Sequence, residues 1–161
     1  MKRLFCFVST LSALSLVTAC ATPRAGASRS SSQPGHGAVS MQIVPNPIVA
    51  TPVSGSTYDF PFDVVVRETG GHPLTVRQIV LDVFAFGGLK VASESYDAAR
   101  ISALGYPTTI PANGDLRYHL APRKEVSDDR LFGSVTGQVR IEATDDSGAP
   151  TNASTTVTVT R

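Results

Sequence analysis

From Tyr58 to Val66 the chain alternates: Tyr58, Phe60, Phe62, Val64 and Val66 fall on one side of an extended backbone, and Asp59, Pro61, Asp63 and Val65 on the other. A period of two suits a half-buried β-strand and no helix, so this stretch commits the chain to a sheet. Pro61 has no N–H to give a ladder, which predicts an edge or a bulge early in the strand. Thr69-Gly70-Gly71-His72-Pro73 then supplies a turn.

The same pattern recurs toward the C-terminus. Leu74 to Phe86 is a long run with Ile79, Leu81 and Val83 on one face and Val80, Asp82, Phe84 and Phe86 on the other. It is apolar on both sides. Gly87-Gly88 ends it, and Leu89 to Ser95 reads as its hairpin partner. Leu116 to Leu120, Ser134 to Thr144 and Thr155 to Thr160 complete the alternating segments, with Asp145-Asp146-Ser147-Gly148 joining the last two. A first strand at Met41 to Val44 is broken by Pro45 and Pro47, which suits an edge that changes sheets. The one good helix signal is Asp97 to Leu104, with Asp97 as N-cap, Ile101 facing inward and Gly105 as the stop; a further helical turn is expected around Ser127 to Phe132.

About seven short strands punctuated by Gly, Pro and Asp predict an all-β, antiparallel β-sandwich with one short helix over residues 39–161, a length usual for a single domain. The spacing resembles the immunoglobulin-like and fibronectin type III-like modules of bacterial surface proteins. It departs from true immunoglobulin domains in having no tryptophan and no cysteine pair. A small open barrel is the structural rival.

The N-terminal residues point to export. Met1-Lys2-Arg3 is a short basic start, and Leu4 to Val17 is uncharged and apolar or small, the layout of a signal peptide. At about 14 residues the run is too short to span a hydrocarbon core, which takes about 20. It ends in Val17-Thr18-Ala19-Cys20. That ending resembles the lipobox of bacterial lipoproteins, and the resemblance implies residues 1–19 as a signal peptide, Val17, Thr18 and Ala19 as the recognition residues of the lipoprotein signal peptidase, and a diacylglyceryl group on Cys20. Ala21 stands where the enterobacterial sorting rule would place an inner-membrane Asp, which leans toward an outer-membrane protein facing the periplasm. Cys6 leaves with the signal and Cys20 is blocked by lipid on this reading, so no disulfide and no cysteine metal site is expected.

Residues 20–38 are nearly all Ala, Ser, Gly, Pro and Thr and are expected to form a flexible tether, with His36 a solvated linker residue. A coil of that length spans roughly 20–25 Å. Apart from the adjacent Arg123 and Lys124, the lysines and arginines beyond it are scattered singly, with no basic stripe, which argues against nucleic-acid binding.

Little in the chain advertises chemistry. Gly133-Ser134-Val135-Thr136-Gly137 lacks the central serine of a nucleophile elbow. His72 in a turn and His119 on a strand read as structural histidines. Asp145-Asp146-Ser147-Gly148 and Asp128-Asp129 lack the loop spacing by which calcium collects its about six to eight oxygens. Asn152-Ala153-Ser154 matches a glycosylation sequon that bacterial export leaves unmodified. These residues predict no enzyme, no cofactor and no metal. The expectation is a lipid-anchored, non-catalytic binding or assembly module of the cell envelope, with an enzyme or small-ligand carrier as the alternative. Its partners are a membrane, through Cys20, and an envelope protein or glycan. The two-sided strand places a partner surface near Phe84, Phe86, Tyr96 and Tyr106, unless the Asp97–Leu104 helix and Tyr106-Pro107 cover that face.

Overall fold

The computed structural model describes residues 28–161. Val17, Thr18, Ala19 and Cys20 therefore lie outside the described residues. Thirteen strands are formed: β1 (Arg29–Ser31), β2 (Val39–Val44), β3 (Ile48–Val49), β4 (Thr51–Ser54), β5 (Thr57–Asp59), β6 (Phe62–Glu68), β7 (Leu74–Phe84), β8 (Lys90–Asp97), β9 (Thr109–Ile110), β10 (Asp115–Leu120), β11 (Arg123–Glu125), β12 (Thr136–Asp145) and β13 (Pro150–Thr160). Among the described residues one α-helix, α1 (Ala98–Ala103), follows β8.

The strands make a β-sandwich. One layer has the order β1-β13-β12-β7-β8, with β9 added to β7 and β3 to β13. The other layer is β10-β6-β2, continued past a break by β11-β5-β4. The break has a chemical cause. Pro61 separates β5 from β6 and Pro122 separates β10 from β11, and a proline inside a ladder removes a donor. The Phe60 N–H donates to the Pro122 carbonyl at 3.1 Å and carries the pairing across the gap. Pro61 is thus at a break in a central strand, not on an edge. The surplus over seven strands comes from such breaks and from edge pieces of two to four residues.

Alternation decides what is buried. Met41 and Ile43 on β2, Phe62, Val64 and Val66 on β6 and Tyr118 and Leu120 on β10 meet Leu74, Ile79, Leu81, Val139, Ile141 and Val157 of the larger layer in one core. On β7 the inward set changes parity, because Val76 faces Ala143 while Gln78 faces Glu142. Arg77 is the extra residue of that bulge, so Leu74 and Val76 point inward before it and Ile79 and Leu81 after it.

The helix does not cover the outer face of β7. Asp97 accepts from the Arg100 N–H at 2.8 Å as N-cap, and Ile101 is buried in the shared core. Beyond it, Tyr106 stacks edge-on against Tyr118 at 5.7 Å and bonds the β10 backbone at His119. The segment therefore bridges the two layers along one side. On the outer face Val80 lies between Arg140 and Ser95. Asp97→Ala should cost about 1 kcal/mol, the usual loss for an N-cap acceptor, read as a lower urea midpoint at unchanged slope.

Residues 29–38, expected to lie in the tether, belong to the sandwich. Arg29, Ser30 and Ser31 pair with Ser154, Ala153 and Asn152. His36 is no solvated linker residue: its Nδ1 sits 3.1 Å from Asp145 Oδ2. Pro45 and Pro47 do carry the chain from one layer to the other, since β2 pairs with β6 and β3 runs parallel to β13.

Candidate functional site

The two ends of the sandwich differ in kind. At one end, Glu68 is buried and its carboxylate accepts the N–H groups of Ala38, Gly70, Gly71 and Asn113. Burial pushes its pKa up, but the four N–H donors outweigh that and leave it below the usual range. Asp145 on the neighbouring layer accepts from the Ser147 hydroxyl and N–H and from the Gly37 and Ala149 N–H groups, with His36 alongside. The Ser147 hydroxyl is the main cause of an acidity far stronger than an ordinary aspartate's, with Gly37, Ala149 and His36 adding to it against desolvation. These are loop pins. The Asp145–Gly148 turn thus spends its oxygens on its own chain, and no group of three or more His, Cys, Asp or Glu side chains placed to hold a metal occurs among the described residues.

At the other end the layers part around a cavity of about 310 Å³. Phe60, Phe62, Leu81, Val83, Phe132 and Val157 form much of its wall. The cavity lies at the proline break: Phe60 and Pro122 flank the gap between the β10-β6-β2 and β11-β5-β4 sheets, and both line it, as do Lys124 and Glu125 of β11. Phe132, from the loop before β12, fills part of the gap and packs edge-on against Tyr58 at 5.0 Å. Gly137 lies on the wall because β12 runs close to β13, where a Cβ would stand 2.7 Å from Val157 Cγ2.

One charged cluster sits on the wall. Glu94 of β8 meets Lys124 of β11 at 2.6 Å and Arg100 of α1 at 2.7 Å. Lys124 first, and Arg100 with it, hold the Glu94 carboxyl below its usual range despite partial burial. A carboxylate flanked by two cations stays ionised near neutral pH and is a poor proton donor. It is better suited to fixing a polar head at the edge of an apolar cavity.

The expected partner surface comes apart. Phe86 is 97% exposed at the β7–β8 tip, and Phe84 is half-buried. Tyr96 is 4% exposed, inside the core, with Arg100 over its ring at 4.1 Å. Tyr106 is half-buried against Tyr118, whose hydroxyl burial pushes up to about 12. Tyr96 and Tyr106 therefore share no face with Phe86, because β8 carries the chain the length of the sandwich between them. His119 bonds Asp63 at 2.8 Å on the outer face of β10, and His72 lies 3.4 Å from Asp146. Neither lines the cavity. The cavity itself has no motif in the sequence; its residues come from seven strands and three connecting segments.

No family model matches the chain, and no curated protein does. Among solved structures, the chain is similar to the Northeast Structural Genomics Consortium target SoR45, with 12% identity, a TM-score of 0.52 and coverage of 77% of this chain and 87% of that one. It also matches the C-terminal domain of wzt at 12% identity and a TM-score of 0.49, over 86% of this chain and 83% of that one. The likeness to SoR45 is one of fold.

Proposed function

We propose that the chain is a lipid-anchored protein of the bacterial cell envelope whose sandwich is a non-catalytic binding module, taking an apolar ligand between its layers. The observation that carries the binding half is the cavity. Its about 310 Å³ lies at the lower end of the range of ligand pockets, roughly 300–1,000 Å³, and its apolar wall beside one polar cluster has their usual chemistry. Capture of a small apolar molecule is favoured over recognition of a glycan, because a sugar would leave its hydroxyls unpaired against Phe60, Phe62 and Leu81. Glu94 and Lys124, on the cavity wall, then orient a polar head, with Arg100 paired to Glu94 behind them. The anchoring half rests on Val17-Thr18-Ala19-Cys20 behind a basic and apolar leader, with Ala21 favouring the outer membrane.

Titration of the full chain with a fluorescent long-chain fatty acid tests the cavity. Saturable binding displaced by unlabelled palmitate is expected. Ala92→Phe places a ring into the cavity from the edge strand β8. Each methylene that the ring displaces forfeits about 0.8 kcal/mol. Loss of two or more weakens binding by at least about tenfold. Equal affinity of wild type and Ala92→Phe would reject the cavity as the site.

A further inference from the structure

We propose that the cavity end of the sandwich docks on the lipid bilayer, with the β7–β8 tip at Phe86 and Leu89 entering the interface beside the anchor. This inference rests on the lipid-anchored reading of Cys20 and adds an orientation to it.

The first observation is where exposed apolar side chains collect. Eight large ones are exposed among the described residues. Phe86, Leu89 and Val91 project from the β7–β8 hairpin, and Leu131 lies in the loop beside them. Val44, Val49 and Val53 belong to the same half, because Val44 pairs with Asp63, Val49 with Thr160, and β4 with β5. Leu104, just after α1, is the exception at the carboxylate end. A soluble surface scatters such residues, whereas clustering at one end marks a contact surface. Phe86 is 97% exposed and Leu89 67%, on a tip whose Gly87 and Gly88 have φ of +77° and +78°. That tip presents two apolar side chains on backbone conformations that glycine adopts without strain.

The second observation is the direction of β1. It pairs antiparallel with β13, Arg29 opposite Ser154 and Ser31 opposite Asn152. Since β13 runs toward Thr160 at the cavity end, the residue preceding β1 comes from that end. From Ser154 to Thr160 is six residues, or about 20 Å of strand. From Cys20 to Arg29 is nine residues, which reach about 30 Å at full extension. With β1 paired, a lipid on Cys20 can reach the cavity end and at most about 10 Å beyond it along the strand direction, and the chain enters β1 from that side. A longer tether would have let the sandwich stand further from the headgroups; pairing of β1 shortens that reach. Interfacial apolar groups enter about 5–10 Å into the headgroup and acyl boundary, a depth within reach of the tip.

The chain has no tryptophan, so one introduced at either end reports its surroundings alone. Phe86→Trp and Leu104→Trp are made in the full chain, purified from bacterial membranes and reconstituted into phosphatidylcholine vesicles with brominated acyl chains. The expected result is blue-shifted, strongly quenched emission for Phe86→Trp and unquenched emission for Leu104→Trp. Quenching of both alike, or of neither, on a chain whose mass shows acylated Cys20 overturns the docking and leaves the anchor standing. A chain that carries no acyl mass on Cys20 overturns both. A further variant, Phe86→Ser with Leu89→Ser, keeps the anchor and should raise the quenching of a Leu104→Trp reporter as the sandwich loses its fixed pose; no change there contradicts the tip's role.

Discussion

Glu68→Ala is expected to lower the unfolding free energy by about 3–5 kcal/mol, the largest stability loss from any one side chain outside the apolar core. The carboxylate is 1% exposed and accepts four backbone N–H groups from three separate segments. Each donor left unpaired in a buried place costs about 1–3 kcal/mol, reduced where the loop opens to water. Glu68→Gln keeps one carbonyl acceptor but brings in two donors with nothing to receive them, so it should fall between wild type and alanine. Urea unfolding at neutral pH reads both.

The pH dependence follows from the same groups. Glu68 and Asp145 both have folded-state pKa values below their ordinary ones of 4.5 and 3.8. The unfolded chain therefore takes up protons first, and the stability these carboxylates contribute is complete above about pH 5 and is lost as the pH falls through the folded values. In Glu68→Gln one of the two contributions is gone, so its urea midpoint should decline less steeply between pH 5 and pH 3. Parallel declines would show that Glu68 is not held ionised by its four donors.

Cys20→Ser is expected to abolish lipid labelling and signal cleavage while leaving the urea midpoint of the sandwich unchanged. Two or three acyl chains at about 0.8 kcal/mol per buried methylene hold a protein on a membrane, and one chain or an apolar tip alone binds only marginally. The variant should accumulate as unprocessed precursor, because the lipid precedes cleavage in the lipoprotein route. Metabolic palmitate labelling, with precursor and mature chain separated by size, reads both effects. A Cys20→Ser chain that is processed normally would reject the lipobox reading.

The sandwich was legible because its strands alternate so strictly. Phe62, Val64 and Val66, or Val139, Ile141 and Ala143, announce an inward face by spacing alone. Asp97 and Gly105 likewise bracket α1 with ordinary cap chemistry. What spacing hides is anything decided by a partner strand. The Arg77 bulge reverses the inward parity of β7 only because of how Glu142 and Ala143 pair. The Ser-rich stretch from residue 29 has no apolar periodicity, yet it forms β1 through backbone bonds to the edge of β13 and is locked by His36 on Asp145. The cavity is hidden for the same reason, since its wall is assembled from segments far apart in the chain around the break between the two small sheets. Tyr96 was expected beside the second face of the two-sided strand, but it pairs with the inward-facing Ile79 and lies in the core with Arg100 over its ring.

The most direct test of the account is the mass of the chain extracted from its own envelope in mild detergent, measured first native and then unfolded. The account predicts a native mass exceeding the covalent mass by one apolar molecule, lost on unfolding, and absent from Ala92→Phe. Identical native and unfolded masses for the wild type, or the same bound mass on Ala92→Phe, would contradict it.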